Sequence, residues 1–149
     1  MISVQSEDFN PALEQEYLGN SNSGAVVTFT GLVRDMNLGD QVTGLFLEHY
    51  PGMTEQCLQR VSDEAAARWP LLGVRIIHRI GQLNIGDRIV FVGVASAHRH
   101  AAFSACEFIM DYLKTQAPFW KKETTQAGDR WLDAREQDQQ ALKRWMTEE

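Results

Sequence analysis

The stretch Ile89-Val90-Phe91-Val92-Gly93-Val94-Ala95-Ser96-Ala97-His98-Arg99 is the most informative part of the sequence for the fold, because it predicts a buried strand that leads into a helix. Its β-branched and aromatic first half predicts a strand from Arg88 to Ala95. Ser96 is the predicted N-cap of a helix that continues to about Thr115. Four small or apolar residues share one face of this helix and are expected to pack inward: Ala102, Ala105, Ile109 and Leu113.

The sequence before this stretch predicts alternating strands and helices. Pro11 follows two alternative N-caps, Asp8 and Asn10, and predicts a first helix that ends at Gly19. The strand 25–30 is β-branched and aromatic, and is predicted to be largely buried. The other predicted elements are strands 2–5, 42–48 and 74–80, a helix from about Thr54 to Trp69, and a hairpin-like turn at 84–87 that leads into the strand 88–95.

The sequence after the central helix predicts a hairpin and a last helix. Strands at 119–125 and 130–132 flank a turn at 126–129, and a helix from about Asp133 runs toward Trp145. The whole pattern predicts an α+β fold, with helices packed against a mainly antiparallel or mixed sheet. No repeat, low-complexity tract or linker interrupts residues 1–149, which predicts a single domain.

The composition argues against several classes of protein. A formal net charge of -6 and a pI near 5.2 disfavour a general nucleic-acid binder, because such proteins present a basic face. No apolar run approaches ~20 residues and the first residues do not resemble a secretion signal, so we expect a cytoplasmic protein without membrane association. Cys57 and Cys106 lack the spacing of a zinc site or a disulfide framework, and are expected to be buried free thiols.

Three of the four lysines, Lys114, Lys121 and Lys122, lie within nine residues. Lysine is the cation whose pKa can fall far enough for it to act as a base or nucleophile, whereas arginine stays charged. The cluster predicts a cationic reaction site for an anionic small molecule. The alternative is a solvated edge strand, where lysine is also favoured. Strand geometry places Lys121 with Glu123 on one face, and Lys122 with Trp120 on the other.

His98 and Arg99 form a second cationic feature, at the start of the helix that ends near Lys114. The free N–H groups of a first helical turn and the guanidinium fork suit a phosphate or a carboxylate. The alternative is that Arg99 pairs with a nearby acid and His98 only caps the helix. His100 would face another side of the helix, so a His-x-His metal site is not predicted.

The length of the predicted helix separates these two cationic features. The fifteen residues from Arg99 to Lys114 span about 22 Å at ~1.5 Å per residue, which is too far for one small substrate to touch both. We therefore expect a symmetric dimer in which the helix start of one subunit meets the helix end of the other. Arg34, just after the strand 25–30, is a further candidate anion contact, although an arginine in that position is more often an ordinary surface charge.

A series of segments occurs in a fixed order along most of the chain. They are Gly24-Ala25-Val26-Val27-Thr28-Phe29-Thr30-Gly31, Val33-Arg34, Asn37-Leu38-Gly39, Leu47-Glu48-His49-Tyr50-Pro51-Gly52-Met53, Ile77-His78-Arg79-Ile80-Gly81, Val92-Gly93-Val94-Ala95-Ser96-Ala97-His98-Arg99, Tyr112-Leu113-Lys114 and Pro118-Phe119-Trp120-Lys121-Lys122-Glu123. Each segment alone is a weak signal, but the ordered set is specific. It resembles the large, catalytic subunit of molybdopterin synthase, the MoaE family, from about Gly24 to Trp145.

The resemblance implies an α/β hammerhead fold with an additional small antiparallel β subdomain. It implies a homodimer that carries a small ubiquitin-like sulfur-carrier subunit, with a Gly-Gly C-terminus, at each end of a heterotetramer. The implied reaction transfers sulfur from the carrier's C-terminal thiocarboxylate to cyclic pyranopterin monophosphate and forms the molybdopterin dithiolene. Because the sulfur arrives on the carrier, neither cysteine is required as a donor, and no metal or other cofactor is expected.

The resemblance also implies roles for individual residues. Lys114 and Lys121 match the two catalytic lysines of the family. The residues that match substrate-binding positions are Arg34, His98, Arg99, Lys122, Glu123 and Arg135.

Two other functions remain open from the residues alone. One is a phosphate-ester-modifying or nucleotide-modifying enzyme that uses the same cations without a protein sulfur donor; binding of a Gly-Gly-tailed carrier would distinguish it. The other is a non-catalytic adaptor that binds a ubiquitin-like partner through Phe119-Trp120 and the neighbouring basic residues. In an adaptor, Lys114→Ala and Lys121→Ala would weaken the partner complex without removing a reaction.

Overall fold

The computed structural model describes residues 1–132 and 136–146. Within these ranges no helix is long and apolar enough to cross a membrane. The described residues form nine strands and four helices: β1 Ile2–Gln5, α1 Pro11–Glu16, β2 Ala25–Leu32, β3 Met36–Asn37, β4 Asp40–His49, α2 Met53–Arg68, β5 Leu71–Arg79, β6 Gly81–Asn84, β7 Arg88–Ser96, α3 Arg99–Thr115, β8 Phe119–Thr125, β9 Gly128–Leu132 and α4 Glu136–Met146.

The first sheet has four strands in the order β1-β5-β7-β2. β1 runs parallel to β5, whereas β7 is antiparallel to both of its neighbours. β7 is buried on both faces because its alternate residues enter two different apolar clusters. Val92 and Val94 pack with residues of α2 and α3. Phe91 packs on the opposite face with Leu18 and Phe9, whose ring lies edge-on at 5.9 Å between centroids.

α3 packs its small and apolar face against β7, as the sequence predicts. Ala102, Ala105 and Ile109 are fully buried, and Leu113 is also in the core. Small residues on this face let the helix approach the sheet closely, and burial of the larger ones stabilises the contact by roughly 1.5–3 kcal/mol each. α3 is continuous from Arg99 to Thr115.

The second sheet is antiparallel and has the strand order β3-β4-β8-β9, with β6 also paired to β4. Leu45 and Leu47 of β4 form a small apolar cluster with Leu83 of β6 and Val33. This sheet is the additional β subdomain that the resemblance implies. The predicted α+β fold class is confirmed.

α4 packs against α3 near the end of the described chain. The Trp145 indole Nε1 donates to Asp111 Oδ2 at 2.6 Å, and its ring lies edge-on to Phe108 at 5.4 Å between centroids. Edge-to-face aromatic pairs contribute about 0.5–1.5 kcal/mol beyond their buried area. The helix over 136–146 agrees with the predicted last helix, whereas its predicted start near Asp133 lies outside the described residues.

Three local predictions are wrong. β2 is not largely buried, because it lies at the edge of its sheet; Phe29, for example, is 40% exposed. Ser96 is not the N-cap: it is the last residue of β7 and its Oγ donates to the Pro70 carbonyl at 2.8 Å, so the helix starts after His98. Cys57 is only partly buried, whereas Cys106 is buried as expected. The sequence also did not predict two short strands that pair with β4: β3, and β6, which separates β5 from the turn before β7.

Candidate active site

A cavity of about 750 Å³ lies where the loop after β2, the end of α3 and the start of β8 meet. Its charged lining residues include the cations Arg34, Lys114 and Lys121 and the acids Glu123 and Asp138. The structure therefore brings together three of the predicted cationic residues, which come from three separate segments of the chain.

Apolar side chains form part of the remaining wall of the cavity. Phe29, Ile89, Met110, Leu113 and Phe119 contribute to it. Apolar walls lower the local dielectric constant, so that a charge interaction inside is stronger than the same interaction in water. The cavity therefore combines an apolar surface for an organic ring with cations for an anionic group.

The short connection between α3 and β8 places the two catalytic candidates in the same cavity. Lys114 lies in the last turn of α3, where a cation interacts favourably with the helix dipole. Pro118 prevents continuation of the helix, and β8 begins at the next residue. Lys121 follows two residues after Phe119, on the same face of the strand, and pairs in register with Leu47 of β4. Two well-packed elements thus hold the two lysines.

Lys122 lies on the opposite face of β8. Its Nζ is 5.4 Å from the centroid of the Phe46 ring and 5.5 Å from that of the Trp131 ring, both within cation–π range. This agrees with the alternation of faces expected along the strand. Lys122 does not line the cavity that contains Lys121.

His98 and Arg99 do not line this cavity either. Both are exposed at the start of α3, and the helix of 17 residues puts about 22 Å between Arg99 and Lys114. Within the part of the chain that the structure describes, the His98 side chain makes no capping hydrogen bond, which does not favour the alternative in which it only caps the helix. Arg135 lies outside the described residues.

Glu123 is the buried acid of the cavity wall, with only 6% of its surface exposed. Asn37 Nδ2 donates to both of its carboxylate oxygens, at 3.0 and 2.9 Å. Arg130 Nε donates to Glu123 Oε1 at 3.1 Å. Asn37 in turn accepts from Arg34 Nη2 through its Oδ1 at 3.4 Å. Glu123 therefore ties three segments of the chain together beside the cavity.

The hairpin between β3 and β4 sets Asn37 in place. Leu38 and Gly39 form its turn, with φ of 52° and 82°, and positive φ at both central residues is typical of the tightest hairpins. This conformation costs a leucine roughly 1–2 kcal/mol, which the rest of the hairpin must offset. The turn brings Asn37 and Asp40 side by side, and both contact Arg130.

His78 also lines the cavity, and sequence reasoning did not identify it as a functional residue. Its ring stacks on Phe119 with 3.7 Å between centroids and an angle of 16° between the planes. His78 Nδ1 lies 2.8 Å from the Arg79 carbonyl oxygen, which can only accept, so Nδ1 carries the proton. The feature of the sequence that could have identified it is a single histidine within the apolar predicted strand 74–80.

The pKa of His78 is lowered to about 3, mainly by burial and in smaller part by the charges of Lys121, Lys114 and His49, against the opposing effect of the hydrogen bond to Arg79. At neutral pH the ring is therefore uncharged. With the proton on Nδ1, Nε2 is a hydrogen-bond acceptor. The cavity thus offers an acceptor as well as cationic donors.

The fold and the cavity together define an α+β protein with a cationic cavity suited to a small anionic molecule that carries an organic ring. The family model described as MoaE protein matches residues 4–116, and the chain belongs to the MoaE family. The resemblance noted from the sequence motifs is confirmed.

The chain is also similar to individual relatives over nearly its whole length. It is 65% identical over 145 residues to the molybdopterin synthase catalytic subunit of Vibrio cholerae, which is 97% of each chain. The solved structure of the molybdopterin biosynthesis MoaE protein from Burkholderia ambifaria is 50% identical with a TM-score of 0.84, covering 99% of this chain and 98% of that one. Molybdopterin synthase from Staphylococcus aureus is 36% identical with a TM-score of 0.82, covering 87% and 94%.

Proposed function

We propose that this protein is the catalytic subunit of a molybdopterin synthase. It transfers sulfur from the C-terminal thiocarboxylate of a small ubiquitin-like carrier to cyclic pyranopterin monophosphate, and so forms the molybdopterin dithiolene. The observation that carries the proposal is the convergence of Arg34, Lys114 and Lys121 on one partly apolar cavity, in a chain 65% identical to a protein named as such a subunit. Both reactants are anions, which accounts for a cationic cavity in an acidic protein.

The residues of the cavity supply charge and proton transfer to this reaction. The sulfur of the thiocarboxylate bonds to a side-chain carbon of the pterin as a carbon–oxygen bond at that carbon breaks, and the oxygen leaves as water. Water then cleaves the bond between acyl carbon and sulfur, which leaves the sulfur on the pterin and a carboxylate on the carrier. A second thiocarboxylated carrier repeats the transfer, because the dithiolene contains two sulfur atoms. Lys121 and Arg34 hold the anionic groups. Lys114 moves a proton or stabilises the oxyanion as the acyl–sulfur bond breaks.

The active assembly that we propose is a homodimer with one carrier on each subunit, a heterotetramer. His98 and Arg99 of the partner subunit complete each substrate site, because the length of α3 keeps the same residues of one chain away from Lys114. For Arg135 we propose the predicted substrate role. For Lys122, which lies on the opposite face of β8 over the Phe46 and Trp131 rings, we propose a structural role in place of a substrate contact. For Glu123, whose carboxylate is bound by Asn37 and Arg130, we propose a structural role in the cavity wall in place of a substrate contact.

We further propose that each chain acts as one domain and that the reaction takes place in the cytoplasm. The free thiols of Cys57 and Cys106 support a reducing compartment. Burial raises the pKa of Cys106 to about 12, so this thiol stays protonated and is a poor sulfur nucleophile. That is consistent with a carrier as the source of sulfur.

Reconstitution tests the proposal. The protein is mixed with a thiocarboxylated carrier and cyclic pyranopterin monophosphate, and the dithiolene product is measured. Lys114→Ala is expected to keep the carrier bound and lose the product, whereas the control Lys143→Ala, at an exposed lysine of α4, keeps both. Failure of the wild-type protein to form product while both partners bind would contradict the function. The non-catalytic adaptor would be favoured if Lys114→Ala weakened carrier binding and removed no reaction that the wild-type protein catalyses.

A further inference from the structure

Glu123 raises a problem for a cavity that binds anions. It lies two residues after Lys121 on the same face of β8, and both line the cavity. A carboxylate beside an ammonium in a site of low dielectric pairs with it and reduces the charge that is available to a ligand. Some feature of the structure must therefore compensate the charge of Glu123.

Arg130 is placed to provide that compensation. It lies on β9 directly opposite Glu123 in the antiparallel register, and its guanidinium reaches the carboxylate through Nε. Its Nη1 donates to Asp40 Oδ2 at 2.7 Å and its Nη2 to the Asn37 carbonyl at 2.9 Å. All three nitrogens are engaged, so the guanidinium is fixed in one orientation.

Asn37 completes the arrangement from the other side. Its amide donates to both oxygens of Glu123, so that with Arg130 the carboxylate accepts three hydrogen bonds. The same side chain contacts Arg34, one of the cavity cations. The orientation of Arg34 is thereby coupled to the way in which Glu123 is held.

We propose that Arg130 is a positioning residue that compensates the Glu123 carboxylate, so that this acid takes less of the positive charge of the cavity away from the substrate. The inference rests on the proposed function, since it deepens the account of how the same cavity binds an anion. It assigns a role to a residue outside the cavity lining, which acts through its contacts with Glu123 and Asn37 of that lining.

A charge-rescue experiment tests this role. Arg130→Met is expected to raise the KM for cyclic pyranopterin monophosphate by about tenfold and to change kcat less, because it leaves an uncompensated carboxylate next to Lys121. Adding Glu123→Gln removes that carboxylate and is expected to return KM to within about threefold of the wild-type value. Arg130→Lys, which keeps the charge, is expected to lie between wild type and Arg130→Met.

The controls separate a charge effect from damage to the fold. Arg88→Met removes a comparable arginine that does not line the cavity and whose Nη1 donates to Asp8 Oδ2 at 2.8 Å. This substitution should leave KM unchanged. Thermal unfolding of each variant shows whether it folds. If Arg130→Met does not fold, the comparison is made between the single variant Arg130→Lys and the double variant Arg130→Lys/Glu123→Gln. A double variant no better than the single one would overturn the proposal.

A second measurement separates failure of this inference from failure of the proposed function. If the wild-type protein forms no dithiolene, the function is wrong, but binding of inorganic phosphate can still be titrated by calorimetry. The same order is expected there, with wild type and the double variant similar and Arg130→Met weaker. Equal phosphate binding by all three would overturn the role of Arg130, whatever the reaction.

Discussion

The buried imidazole of His78 gives the protein a specific sensitivity to acid. The folded protein keeps this ring neutral down to a pKa of about 3, whereas the unfolded chain protonates it at its ordinary pKa of 6.5. Between these values the unfolded state binds more protons than the folded state, so stability falls as the pH is lowered. The stabilising contribution is complete above pH 6.5 and is lost progressively toward pH 3.

The magnitude follows from the two pKa values. Their difference corresponds to about 5 kcal/mol of stability lost over the whole range, at about 1.4 kcal/mol for each pH unit. Between pH 7 and pH 5 the expected loss through His78 is about 2 kcal/mol, because protonation of the unfolded chain is only partial at the upper end. That is a large fraction of the stability of an ordinary domain.

Urea unfolding at pH 7 and pH 5, followed by tryptophan fluorescence at one fixed protein concentration, measures this loss. His78→Gln is expected to lose about 2 kcal/mol less than the wild-type protein on going from pH 7 to pH 5, even if it is less stable at pH 7. His100→Gln, at an exposed imidazole of α3, is the matched control and should follow the wild type. Equal losses in the wild type and His78→Gln would refute the reasoning.

Three further predictions concern packing and catalysis. Gly24→Ala places a Cβ 1.9 Å from the Ala97 carbonyl oxygen, so thermal unfolding should show that the protein loses about 1–3 kcal/mol of stability. Gly19→Ala is the control and should not be destabilised, because nothing lies within 4 Å of the added Cβ. Equal effects of the two substitutions would contradict the clash. Lys114→Arg should lose at least about a hundredfold in kcat, since arginine keeps the charge but cannot release a proton; full turnover would leave only an electrostatic role. Mixed Arg99→Ala and Lys114→Ala proteins, each inactive alone, should regain activity after subunit exchange, and no recovery would exclude a shared site.

The sequence predicted best what depends on local periodicity. The inward face of α3 was identified from the spacing of Ala102, Ala105, Ile109 and Leu113, because a helix that packs on a sheet needs apolar residues at these intervals. The alternation along β8 separated Lys121 from Lys122 in the same way. In both cases the prediction required only the residue spacing within one helix or one strand.

Predictions that depend on the order of strands in space were less successful. The burial of β2 was overestimated because a β-branched segment has the same composition at the edge of a sheet as at its centre. The cap at Ser96 was wrong because the strand continues one residue further and its hydroxyl finds a partner at Pro70. Neither fact is visible without the neighbouring elements.

Contacts between distant residues account for what the sequence left out of the site. Asn37 and Glu123 are 86 residues apart, and their hydrogen bonds depend on how β3, β4 and β8 pair. The neutral state of His78 depends in the same way on distant residues, because its burial comes from the folded structure, in which its ring stacks on Phe119. The motifs indicated the cations of the cavity, but only the fold shows how their neighbours are held.

The most direct test of the proposed sulfur transfer follows the sulfur atom itself. A carrier whose thiocarboxylate contains a heavy sulfur isotope is bound to the protein with cyclic pyranopterin monophosphate, and mass spectrometry of both partners is recorded through a single turnover. We expect the label to move from the carrier to the pterin in the wild-type protein, and to remain on the carrier in a Lys114→Ala complex that still binds both partners. Label that stays on the carrier in the wild type, or that moves at the wild-type rate in Lys114→Ala, would contradict the assignment of this cavity as the site of transfer.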